Sequence, residues 1–149
     1  MFMGETRNDL VTQRDADYLQ QARAFYRQAL QELRRGKKEK DEIVIRDAAE
    51  KGWNAVVQAT NHLFQKLGYE VPKSHFDRRQ GLLKLAKEHP QVEEQALRDR
   101  YMAREQGLHE YAFYEGVYDL ALLEKDIRKV RGYIADITKV DARERKEKA

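Results

Sequence analysis

The chain has 149 residues, long enough for one domain with a real core, and no cysteine, which excludes disulfides and thiolate metal sites and suits a cytosolic protein. Charged side chains make up 37% of it, yet the formal net charge is only +3, so interleaved signs point to solvated helix faces and do not by themselves name a polyanion as partner. No stretch approaches the roughly eighteen apolar residues of a membrane span, and the first residues hold no apolar run of signal-peptide length.

Only two prolines and eight glycines interrupt the chain, and the long segments between them repeat at helical spacing. The first helix is predicted over residues 15–35, where Tyr18, Ala22, Phe25, Ala29 and Leu33 form one apolar stripe. Thr12 with Asp15 is its expected capping pair, and Gly36 its expected stop, inside the basic turn RRGKKEK. Asp41 is placed to cap a second helix ending at Gly68. Its broad apolar face (Ala49, Trp53, Val56, Val57, Thr60, Leu63, Phe64, Leu67) and its small residues, Ala48, Ala49, Ala55 and Ala59, mark it as the central helix.

Ser74 with Asp77 is predicted to cap a third, short helix, and Pro90 to open a fourth whose Val92, Ala96, Leu97 and Tyr101 face inward. Beyond it Phe113, Tyr114, Val117, Leu120, Ala121, Ile127, Val130, Ile134 and Ile137 predict one long last helix. Strand-like alternation arises only over 42–45 and runs straight into helical pattern. The expected architecture is all-α, a four- to five-helix antiparallel bundle over residues 1–140, followed by a charged flexible tail over 141–149.

The stretch AREQGLHEYAFYEG, residues 103–116, carries the chemistry. Arg104 and His109 lie five apart, about 140° around a continuous α-helix, so they would not share a face. Gly107 between them weakens helical continuity by about 1 kcal/mol against alanine. The expectation is a bend there that opens both side chains onto one groove. Histidine titrates near neutrality and exchanges protons with a ribose hydroxyl or a leaving oxygen. Arginine stays charged and presents a planar fork to phosphate oxygens. Together they suit metal-free chemistry on a phosphodiester, although a charged chain often produces such a pair by chance.

The remaining histidines have plainer readings. His62, beside Asn61, sits on the apolar face of the central helix as a core or groove histidine, and His89 belongs to the turn before Pro90. Lys73, His75, Arg78 and Arg79 form a basic cluster at a helix start, read as ordinary surface or as a polyanion contact. The four histidines have no metal-ligand spacing, so no metal and no cofactor is predicted. Tyr18, Trp53 and Tyr101 read as core. The basic turn with Arg34, Arg35, Lys37, Lys38 and Lys40 reads as a soluble loop, with contact to RNA phosphates as the alternative.

The run Arg104-Glu105-Gln106-Gly107-Leu108-His109-Glu110-Tyr111 resembles the Arg-x4-His-x-Tyr motif of the HEPN superfamily (higher eukaryotes and prokaryotes nucleotide-binding). The stretch EKGWNAVVQATNHLF is similar to the Ala-rich central helix of such domains, and LHEYAFYEG to their PaREP branch. The similarity spans residues 15–137 and is diffuse outside these stretches. It implies a homodimer in which two motif copies share one cleft for RNA or a nucleotide, and a metal-independent endoribonuclease. Arg104 would hold the scissile phosphate and His109 would be the acid/base. Tyr111 would match the tyrosine modified by the nucleotidyltransferase partner in HepT-type toxin–antitoxin pairs. Glu105 stands where active members carry Asn, Asp or His, at a substrate-contacting position, and its carboxylate would repel phosphate and pair with Arg104 instead. Gly107 replaces an apolar residue. The alternative is a non-catalytic interaction or scaffold domain that partners a nucleotidyltransferase.

Overall fold

With prolines confined to two turns and apolar residues recurring every three or four positions, nothing in the chain competes with helix. The computed structural model describes residues 3–142, with side chains from residue 18 onward, and it is all-α among them. The elements are α1 (Met3–Glu39), α2 (Glu42–Lys66), α3 (His75–Glu88), α4 (Pro90–Glu94), α5 (Leu97–Arg104), a π-helical segment (Glu105–Glu115) and α6 (Leu120–Thr138). Six α-helices and one π-helical segment thus replace the four or five expected. No helix among the described residues is long and apolar enough to cross a membrane.

Helix α2 is central, as its composition requires: it packs against α1, the π segment, α5 and α6. Ala48, Ala49, Ala55 and Ala59 are wholly buried and let those neighbours come close, while Trp53, Val56 and Leu63 fill the space between. Across the α2–α6 contact, Thr60 Oγ1 lies 2.6 Å from Tyr133 Oη, so the one buried hydroxyl satisfies the other. Asp41 caps α2 by accepting from the Ile43 and Val44 amides at 3.0 and 3.3 Å. At the other end the Gly68 amide donates to Gln65 O and the Tyr69 amide to Phe64 O, the paired bonds of a Schellman motif. Ser74 caps α3 through the Asp77 amide at 3.0 Å, and Pro90 opens α4.

Several expected boundaries are corrected. Gly36 does not stop α1. The helix runs on to Glu39, and the reversal is made at Lys40, at φ 54°. Gly36 instead serves close approach, because a Cβ there would sit 2.7 Å from Ile45 Cγ1 on α2. Helix α1 also runs through Thr12, so no helix starts there, and the side chains of Thr12 and Asp15 lie outside the described residues. The helix expected from Pro90 through Tyr101 is broken at Ala96, which is exposed and left-handed at φ 52°. Val92, Leu97 and Tyr101 are buried as expected, on two short helices in place of one.

The single long last helix is broken as well. Gly116, at φ 71°, ends the π segment, and Asp119 caps α6 by accepting from the Leu122 amide at 3.0 Å. Consequently Tyr114 and Val117 are exposed, and Leu123, Ile127, Val130, Ile134 and Ile137 carry the α6 core face. Of the predicted tail over 141–149, residues 143–149 lie outside the described residues.

Candidate functional site

The chain does not bend at Gly107. It keeps winding, changing from α to π at Glu105 and continuing to Glu115. An i→i+5 ladder is rare, and where it occurs it re-aims side chains that an α-helix would fix elsewhere. Its far end is held from outside: Arg46 of α2 donates to Phe113 O through Nε and Nη2 at 3.0 and 2.8 Å, and to Tyr114 O at 3.0 Å. These bonds satisfy carbonyls that the end of the helix leaves bare.

His109 emerges from the middle of this segment onto α2. Its Nδ1 lies 2.9 Å from Glu50 Oε1. Burial raises the Glu50 pKa and the hydrogen bond from His109 works against that rise. Opposite the carboxylate in its ionised form, which only accepts, Nδ1 is the donor, and Nε2 has no partner among the described residues. The ring stacks on Trp53 at 5.7 Å and 25° and on Phe113 at 6.3 Å and 12°, and meets His75 edge-on at 5.2 Å. Side-chain exposure is 24% for both His109 and Glu50. The result is an oriented, solvent-reachable imidazole with one nitrogen free.

His75 is held differently. Arg78 Nη1 lies 3.0 Å from its Nδ1, and since a guanidinium has no lone pair to offer, that nitrogen accepts and the ring is neutral with its proton on Nε2. Burial, then the Arg78 charge, lowers the His75 pKa. Arg78 is itself buried and donates through Nε to Asn61 Oδ1 at 3.1 Å. Arg79 donates from Nη1 to both oxygens of buried Glu105 at 2.9 and 2.7 Å. Of the expected polyanion cluster, only Lys73 is exposed; His75 is half-buried, and Arg78 and Arg79 are engaged from within.

Arg104 takes the other flank. Its side chain, 13% exposed, faces Asp126 of α6 at 3.6 Å, and its Nε is buried without a partner. Burial lowers its pKa and Asp126 opposes that shift. The structure therefore pairs Arg104 with α6 and His109 with α2. The expected Arg104–Glu105 pair is replaced by Arg79–Glu105, because the winding at residue 105 turns that carboxylate toward α3. Tyr111 is partly exposed, and its hydroxyl accepts from Gln106 Nε2 at 3.0 Å.

No family model, curated protein or solved structure matches the chain. Among the described residues no group of three or more His, Cys, Asp or Glu side chains is placed to hold a metal ion. The one local signal for Glu50 is a carboxylate at the edge of the apolar face, three residues before Trp53, because its partner is 59 residues away. Arg46 left no sequence signal. Trp53 is core, as expected, and at the same time the wall on which His109 rests. Asn61 and His89 are buried. His89 Nε2 lies 3.1 Å from Tyr69 Oη, a structural role for a turn histidine.

Proposed function

We propose that this chain is a HEPN-like RNA-binding domain carrying a metal-independent endoribonuclease site that is completed across a homodimer. One observation carries the catalytic part: the Glu50–His109 hydrogen bond, which fixes the proton on Nδ1 and presents Nε2 as a base. Nε2 takes the proton of a ribose 2′-hydroxyl, the 2′-oxygen attacks phosphorus, and the proton returns to the departing 5′-oxygen, leaving a cyclic phosphate and a free 5′-hydroxyl. Arg104 joins by exchanging Asp126 for the scissile phosphate; at 3.6 Å that pair is loose enough to exchange. Tyr111, exposed at the surface, serves as the modification or substrate-contact position, whereas Glu105 is held by Arg79 and leaves Arg104 to the phosphate.

Labelled RNA incubated in EDTA tests it. The wild type is expected to cleave, His109→Ala to lose roughly 10²-fold or more, and Glu50→Gln to fall between them. Asp126→Asn, which frees Arg104, is expected to cleave faster. Equal inactivity of wild type and His109→Ala overturns the enzyme.

A second reading, a non-catalytic dimeric or partner-binding domain that docks a nucleotidyltransferase, is favoured by a different observation. Ile43 and Tyr114, 71% and 75% exposed, line a recess of about 390 Å³ with Arg46, Asp47 and Phe113, and Val117 stands exposed beyond Tyr114. RNA cleavage in EDTA separates the two: this reading expects wild type and His109→Ala to be equally inactive, together with self-association or nucleotidyltransferase binding that a Tyr114→Ser, Val117→Ser variant loses in sedimentation.

A further inference from the structure

Helices α1 and α6 leave a groove between them, and its lining is one-sided in charge. From α1 it takes Arg23, Arg27, Arg34 and Lys37, and from α6 it takes Arg128 and Arg131. All six are exposed, and the one acid that lines the groove is Glu124, shared by Lys37 at 2.7 Å and Arg128 at 3.0 Å. Arg23, Arg27, Arg34 and Arg131 have no carboxylate partner among the described residues. The α1 positions 23, 27, 34 and 37 recur at helical spacing, so they form one stripe about 21 Å long. Two recesses, of about 160 and 280 Å³, succeed one another along it.

We infer that this groove binds the phosphate backbone of a single RNA strand. The inference rests on the RNA reading above and adds the surface that holds the strand. Four unpaired guanidiniums along a concave track match successive phosphates, which planar forks bind better than ammonium groups do. The stripe has the length of a few nucleotides, and Tyr26, lining the wider recess, adds an aromatic surface. A lipid surface fits worse. No large apolar side chain is exposed along α1 among the described residues, and a bilayer-binding helix needs an apolar face to insert. Glu124 already neutralises one end of the track, leaving the stretch from Arg23 to Arg34 with Arg131 as the stronger cation field.

Fluorescence anisotropy with a labelled single-stranded RNA of about ten nucleotides, in EDTA with the His109→Ala background to prevent cleavage, tests this. Variants are Arg27→Glu with Arg131→Glu, and separately Arg34→Glu with Arg128→Glu, each checked for unchanged helix content. Either pair is expected to weaken binding by tenfold or more. The Arg27, Arg131 pair is also expected to flatten the slope of log affinity against log salt by about 1.4, two phosphates at roughly 0.7 each. If the His109→Ala protein binds RNA and both pairs bind equally well, the groove assignment fails while the RNA reading stands. If it binds no RNA at low salt, both fail. If it prefers phosphatidylserine vesicles to RNA, the groove is a lipid surface and the inference is overturned.

Discussion

Two arginine-rich regions of this molecule have opposite fates. At the start of α3, Arg78 and Arg79 are drawn inward, one onto Asn61 and His75, the other onto both oxygens of Glu105. Along the α1–α6 groove, Arg23, Arg27, Arg34 and Arg131 stay exposed, without a carboxylate among the described residues. Density of positive charge along the chain does not separate the two. What separates them is whether the fold brings an acceptor within reach: Asn61 and Glu105 come from elements that pack on α3, whereas the α6 face opposite Arg27 supplies Arg131. A cation whose acceptor is internal belongs to the architecture of the site; one without an internal acceptor is available to a ligand.

The largest effect should come from the wall beneath the paired region. Trp53→Ala removes a side chain that is 1% exposed and touches His75, Tyr101 and His109, and is expected to cost about 3–5 kcal/mol in urea unfolding. Trp53→Phe keeps most of the volume and should cost less. Either change should loosen His109 and leave groove binding intact wherever the fold survives. Loss of groove binding in a folded Trp53→Phe protein would mean the two regions are coupled and the contrast is false.

Next comes the pairing itself. Arg78→Met keeps the length of the side chain but strips the buried acceptor of Asn61 and the half-buried one of His75 of their donor, at about 1–3 kcal/mol. Glu105→Gln leaves Arg79, which is partly exposed and can turn to water, so about 1 kcal/mol is expected by the same unfolding measurement. Were Arg78→Met neutral, Arg78 would be surface after all, and the cluster of Lys73, His75, Arg78 and Arg79 would regain its reading as a polyanion contact.

That cluster shows where sequence legibility ended. Helical periodicity made the all-α class, the central α2 and the caps at Asp41 and Ser74 readable, since each depends on neighbours within a turn or two. The break at Ala96 was not readable, because a left-handed alanine is imposed by packing of the flanking helices and has no local signal. The break at Gly116 did carry one, a glycine followed three residues later by a capping Asp119, but the apolar period running across it was the louder pattern. The π winding turns Glu105 toward Arg79 and leaves Arg104 to Asp126, and neither partner is near in sequence. For the same reason the sequence shows only a basic turn with Arg34 and Lys37 and no groove: only the folded chain sets the stripe of α1 against Arg128 and Arg131.

Histidine titration provides a gentler probe and reaches both regions, since His75 lies on Arg78 in the paired one and His62 feels the charge of Arg23 in the groove. Burial lowers the pKa of both His75 and His62 from the ordinary 6.5. The unfolded chain therefore binds more protons than the folded one below about that pH, and stability is lost as pH falls through 6.5 toward the lowered values. Glu50, raised from 4.5, acts with the opposite sign: its burial penalty grows as pH rises through 4.5, so acidification through that range relieves it. The melting temperature should fall between pH 7.5 and 5.5, and a His62→Gln, His75→Gln variant should show a flatter profile. An equally steep profile in that variant would place the acid sensitivity elsewhere.

The smallest effect on stability is expected in the groove, and its smallness is the point. Arg27 and Arg131 line the same recess, with no carboxylate beside them among the described residues, so replacing either by glutamate removes a like-charge neighbour and creates an opposite one. Both residues are exposed, which confines the change to within about 0.5 kcal/mol and favours a slight gain. Residues that hold a fold together cannot be reversed in charge without cost; residues kept for a ligand can. A melting temperature unchanged or raised in the single variants Arg27→Glu and Arg131→Glu, together with weakened RNA binding, would separate the groove from the α3 cluster on energetic grounds. A clear fall in melting temperature would show that these arginines pack the α1–α6 seam with their aliphatic stems, and would place both regions in the same structural role.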